Sequence, residues 1–122
     1  GRTAIYEGRG TALGLTYTAL KLNGEAGEIA ECVGKAIRDD QLFKKLTIDG
    51  VCYFLPQRLS HDKLLKARKE IGDCLWYLSQ LCHELSVHFG APITLGDIAH
   101  ENILKLQSRK ERGVLGGSGS DR

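Results

Sequence analysis

The chain has 122 residues, with 17 Lys and Arg against 15 Asp and Glu and a formal net charge of +2. That length supports one domain (1–122) with a modest core, so completion by an oligomer, a homodimer or homotetramer, is expected. Charges of both signs are interspersed without a basic stripe, which argues against a nucleic-acid polymer as partner, and no apolar run reaches the ~18 residues that a membrane span needs.

Residues 1–10, GRTAIYEGRG, hold three glycines and read as an irregular lead-in. A helical pattern runs from about residue 11 to 38, with Leu22, Ala26, Ile29, Val33 and Ile37 on one stripe. Glu25 falls at the edge of that stripe and Glu28 about 60° further round, so both acids are expected to be partly buried. Gly24 and Gly27 interrupt the pattern at about 0.5–1 kcal/mol each relative to Ala. Either another helix or a ligand approaches closely there, or the helix breaks.

The connector at 41–60 contains L-T-I-D-G-V-C-Y-F, in which Asp49-Gly50 between apolar and β-branched residues predicts a short hairpin. Pro56 and the N-cap Ser60 introduce a second helix reaching about Phe89, before Gly90 and Pro92. Its apolar face is Leu64, Ala67, Ile71, Cys74, Leu75, Leu78, Leu81, Cys82 and Leu85, with Glu70, Asp73 and Tyr77 on one flank. Thr94 and Asp97 form a variant capping box that opens a third helix, ending near Arg112 with Gly113 as its stop. Asn102, Lys105 and Arg109 lie in line on that helix, beside Leu95, Ala99 and Leu106. The tail at 113–122 is rich in Gly and Ser and is expected to be flexible.

The four cysteines, Cys32, Cys52, Cys74 and Cys82, lack C-x-x-C spacing, which points to free thiols and a reducing cytoplasm rather than zinc or a disulfide framework. No signal peptide is visible. The sequence starts at Gly1 and contains no Met; native residues are expected upstream.

Chemistry concentrates in two acidic pairs, Glu25 with Glu28 in G-E-A-G-E and Glu70 with Asp73 in K-E-I-G-D. On a helix an i,i+3 pair projects two carboxylates to one side, and two such pairs facing each other make an oxygen site for a hard cation. Solvated faces, or salt bridges to Lys21, Lys35 and Lys69, are the competing reading of the spacing, and the residues alone leave both open. No His stands three residues after Glu25, Glu28 or Glu70, which argues against a di-iron bundle; His61, His83, His88 and His100 read as surface or interface residues. Trp76 and Tyr77 either pack in a core or present a ring or hydroxyl to a ligand. Lys105, Arg109 and Asn102 either hold a polyphosphate or pair with acids across an oligomer interface.

Taken in order, these segments resemble the all-α nucleotide pyrophosphohydrolases of the MazG type. L-K-L-N-G-E-A-G-E-I-A-E and E-I-G-D-C-L-W-Y-L are similar to the two acidic motifs of that family. I-A-H-E-N-I-L-K-L-Q-S-R is similar to its third helix and R-G-V-L-G-G-S-G-S-D-R to its glycine-rich tail. The resemblance implies an all-α bundle completed by oligomerisation. It also implies Mg²⁺-dependent hydrolysis of a nucleoside triphosphate between the α and β phosphates, with Mn²⁺ as a substitute cofactor. Glu25, Glu28, Glu70 and Asp73 would hold the metal, and Glu25 or Glu28 would activate water. Asn102 and Lys105 would contact phosphates with Arg109 as an addition, and Tyr77 would face the nucleotide. A dedicated dCTP or dUTP diphosphatase, or a phosphoribosyl-ATP pyrophosphohydrolase, fits the same motifs; a non-catalytic helical oligomer that binds nucleotides or a partner is the alternative of another class. Two departures stand out: 41 residues (29–69) separate Glu28 from Glu70, longer than the usual spacing, and the tail reads G-S-G-S-D-R, which puts the role of Asp121 in question.

Overall fold

The computed structural model describes residues 5–113. In chain order they form α1 (Ala12–Asp39), β1 (Phe43–Ile48), β2 (Val51–Pro56), α2 (His61–Phe89) and α3 (Leu95–Glu111). The fold is thus mostly helical with one antiparallel hairpin, as the sequence pattern predicts. The tail, including Asp121, lies outside the described residues. Among those described, no helix is long and apolar enough to cross a membrane. The chain divides into two compact units, Thr16–Leu78 and a second whose described part is 5–15 with 79–113.

Within Thr16–Leu78, α1 runs unbroken through Gly24 and Gly27, which overturns a helix break there. A Cβ at either glycine would meet nothing within 4 Å, so no close neighbour among the described residues accounts for them. The predicted apolar stripe also needs correction. The line that α1 turns inward is Thr18, Leu22, Glu25, Ile29, Cys32 and Ala36, spaced alternately by four and three residues, while Ala26, Val33 and Ile37 are exposed. On α2 the inward line is Lys63, Ala67, Glu70, Cys74 and Tyr77, while Leu64, Ile71 and Leu75 remain about half exposed.

Thr18, Cys32, Ala36 and Ala67 are the buried members of this seam. The Cys32 thiol lies 3.5 Å from the Lys63 carbonyl oxygen, and the Tyr17 and Tyr77 rings meet at the other end, so the two helices run antiparallel. At 100° per residue the exposed aliphatic faces sit about 90–100° round from the seam on both helices.

The hairpin forms where Asp49-Gly50 specifies it. Both residues have positive φ, 51° and 77°, as a two-residue type I′ turn requires. The register pairs Ile48 with Val51 and Leu46 with Tyr53, which puts Leu46, Ile48, Val51, Tyr53 and Leu55 on one face, all solvent-exposed. Ser60 accepts the Lys63 N–H at 3.3 Å and caps α2 as predicted.

The second unit is organised around a buried carboxylate. Glu84 of α2 is fully buried; it accepts the Tyr6 hydroxyl and the Gly10 N–H, at 2.9 Å to one oxygen and 3.1 Å to the other. Gly14 lies so close beneath this knot that a Cβ there would stand 2.5 Å from the Gly8 carbonyl oxygen and 2.8 Å from Glu84 Oε1. After α2 stops at Gly90, with φ 67°, the Ser86 hydroxyl accepts the Ile93 N–H at 2.8 Å, and Thr94 caps α3 by accepting the Asp97 N–H at 3.0 Å. No residue of α3 is buried.

Burial first, then the hydrogen bond to Glu84 and its charge, push the Tyr6 phenol from 10.0 up to about 12. The folded value exceeds the ordinary one, so this stabilisation is complete below pH 10 and is lost as pH rises through 12. Urea unfolding should find Tyr6→Phe destabilised by about 1 kcal/mol at pH 8, with the gap closing towards pH 12, and Glu84→Ala destabilised by about 3 kcal/mol because two donors are stranded. A Tyr6→Phe gap that stays constant to pH 12 would contradict the coupling.

Candidate active site

Glu25 from α1 and Glu70 and Asp73 from α2 converge within Thr16–Leu78. Each offers a carboxylate oxygen, and these oxygens all lie within 4.8 Å of one another. All three side chains are half-buried, because Glu25 and Glu70 stand on the lines along which the helices meet and Asp73 follows one turn after Glu70. Sequence periodicity put Glu25 at the edge of an apolar stripe; its seam position is instead what aims it at the opposite helix.

Lys21, one turn before Glu25, places its ammonium 3.5 Å from Glu25 Oε1 and 5.6 Å from the centre of the Tyr77 ring. Tyr77 meets Trp76 edge to face at 4.8 Å and Tyr17 at 6.4 Å. Burial first, then the hydrogen bond and charge interaction with Tyr17, and then the negative charges of Glu25 and Asp73, push the Tyr77 phenol up to about 12. Burial and the charges of Glu25, Asp73 and Glu70 likewise push the Cys74 thiol up, which disfavours the thiolate.

The other predicted site residues are not gathered here. Glu28 is exposed and contributes to the surroundings of Glu31, whose carboxylate pairs with Lys35 at 2.7 Å. Asn102 and Lys105 lie on α3, in the second unit, where with Ile98 and Glu101 they line a groove of about 290 Å³; Arg109 follows one turn later and is half-buried. Sequence reasoning treated Lys21 only as a salt-bridge partner and passed over Tyr17. The signal was present in the four-residue spacing of Tyr17, Lys21 and Glu25, which share one helix face.

Three carboxylates drawn from two helices form a hard, anionic oxygen set. That donor chemistry fits a small divalent cation, which takes oxygen ligands at about 2.0–2.6 Å and completes its shell with water or phosphate. A match to the MazG nucleotide pyrophosphohydrolase domain spans residues 14–114. The chain belongs to the MazG nucleotide pyrophosphohydrolase family. Members of this family generally use a divalent metal, and the matched segment contains Glu25, Glu28, Glu70, Asp73, Tyr77, Asn102, Lys105 and Arg109. The chain is also 39% identical to the Gene 37 protein of Mycobacterium phage L5, over 98% of its own length and 90% of that protein. No solved structure matches it significantly.

Ultraviolet titration should show two phenols, Tyr6 and Tyr77, ionising near pH 12, and Tyr77→Phe should lose about half of that late amplitude. Retention of the full late-titrating amplitude in that variant would show that Tyr77 does not lie in the surroundings described.

Proposed function

We propose that this MazG-family chain hydrolyses a nucleoside triphosphate, NTP or dNTP, between the α and β phosphates, releasing the monophosphate and pyrophosphate. The reading rests on one observation: Glu25, Glu70 and Asp73 converge from two helices inside the segment that matches the family. In a cell the activity would remove non-canonical nucleotides or adjust dNTP pools. The free cysteines support a reducing cytoplasm.

Glu25, Glu70 and Asp73 would hold the metal, with Mg²⁺ as the physiological ion and Mn²⁺ as a substitute. When bound, the metal supplies charge neutralisation and Lewis acidity to the phosphates. Glu28, one turn beyond Glu25 and outside the cluster, is the fourth acid that the family motif assigns to the metal; Glu28 or Glu25 would supply the carboxylate that orients the attacking water and takes its proton. Water attacks the α phosphorus, the bond to the bridging oxygen breaks, and pyrophosphate leaves. Asn102, Lys105 and Arg109 of α3 bind phosphate oxygens and stabilise the charge that develops on them. Tyr77 borders the nucleotide. No nucleophilic side chain is required.

A homodimer or homotetramer completes the fold in this proposal. Leu64, Ile71, Leu75, Val33 and Ile37 on the outer helix faces, the apolar hairpin face, and Ile98, Ile103, Leu104 and Leu106 of α3 are all exposed. A monomer of this size leaves so many large apolar side chains in water only where another surface covers them.

Incubation with a panel of canonical and modified NTPs and dNTPs plus Mg²⁺ should yield pyrophosphate; orthophosphate as the sole product rejects α–β cleavage. Glu70→Gln should lower turnover at least about 100-fold while the oligomer persists, and it should raise the melting temperature measured without metal by relieving repulsion among the acids. Full activity in Glu70→Gln removes the cluster from the mechanism.

A further inference from the structure

We propose that Lys21 is the internal counter-cation of the acidic cluster: its ammonium stands in for the divalent metal at Glu25 and, when metal takes that carboxylate, turns to the phosphates of the substrate. The inference rests on the metal reading above and extends it to a residue with no assigned role. Its ammonium is 3.5 Å from Glu25 Oε1, on the carboxylate that also has an oxygen within 4.8 Å of oxygens of Glu70 and Asp73. Glu25 therefore cannot give all its charge to both a metal and Lys21.

The pair is built to be exchanged. Its order on the helix, Lys before Glu at i,i+4, is the weaker orientation, and the Lys21 side chain is 43% exposed against 17% for Glu25, so the ammonium is free to leave into solvent. The Tyr77 ring, 5.6 Å from the ammonium, supports it through its electron-rich face whether or not Glu25 is engaged. A released ammonium held over Tyr77 stands beside the acids, where a metal-bound polyphosphate brings negative oxygens, and Lys is a flexible point charge suited to following them.

Two effects of opposite sign follow, which a purely structural residue would not produce. Lys21→Met keeps the apolar stem against Tyr77 but removes the charge. It should bind Mn²⁺ alone about two- to fivefold more tightly than the wild type by calorimetry, because no ammonium has to be displaced and none repels the ion. The same variant, saturated with Mn²⁺, should bind inorganic tripolyphosphate about tenfold more weakly, and Lys21→Arg should restore that affinity. Unchanged or weaker Mn²⁺ binding by Lys21→Met overturns the counter-cation role, and unchanged tripolyphosphate affinity overturns the transfer to phosphate. Failure of the wild type itself to bind Mn²⁺ is a different result, which removes the metal reading and this inference with it.

Discussion

Charge repulsion among Glu25, Glu70 and Asp73 is the constraint to which the rest of Thr16–Leu78 answers. One oxygen of each carboxylate lies within 4.8 Å of the others, and two unit charges about 5 Å apart repel by roughly 3 kcal/mol at an effective dielectric near 20, before screening by solvent and salt. The seam on which Thr18, Cys32, Ala36 and Ala67 are buried holds them together all the same. Lys21 offsets part of the charge from one side. A cation bound in the folded cluster and not by the unfolded chain converts this strain into stabilisation, so occupancy and folding are thermodynamically linked.

The same packing decides what the helices turn outward. Leu22, Ile29 and Tyr77 are the large apolar side chains of a seam that is otherwise small, polar or ionisable, and further aliphatic residues lie about a quarter turn away. Fully burying one Leu or Ile contributes about 1.5–3 kcal/mol, so Leu64, Ile71, Leu75, Val33 and Ile37, which stay exposed, hold stabilisation that the monomer leaves unused. The hairpin obeys the same logic, since two strands alone are marginal in water. In the proposed oligomer, assembly supplies the apolar burial and leaves the seam free to carry chemistry.

Features fixed by neighbouring residues were legible in the sequence. Ser60 and Thr94 cap their helices, Asp49-Gly50 makes the turn, and Gly90 and Gly113 lie in the left-handed conformation that ends α2 and α3. The rotation of α1 and α2 was not legible, because a hydrophobic stripe reports which face avoids water and not which surface covers it. The motif resemblance singled out Glu25, Glu70 and Asp73, yet only the seam explains why Glu25 reaches the opposite helix. Tyr6 and Glu84 are separated by 78 positions, and no local pattern could have paired them.

Glu84 and Glu25 show how the surroundings of a carboxylate separate structure from chemistry. Both stand on helix lines that face protein. Glu84 accepts a hydroxyl and a backbone N–H, neutral donors that satisfy its oxygens in a fully buried place. Such a group is locked, because any competing ligand must first break bonds that have no replacement from water. Glu25 instead meets two further acids and one mobile ammonium. Its charge is compensated by a partner that can leave, and the space beside it favours a second positive charge. Satisfaction by neutral donors makes Glu84 a fastener; incomplete neutralisation among like charges is what suits Glu25 to the exchange of cations proposed for it.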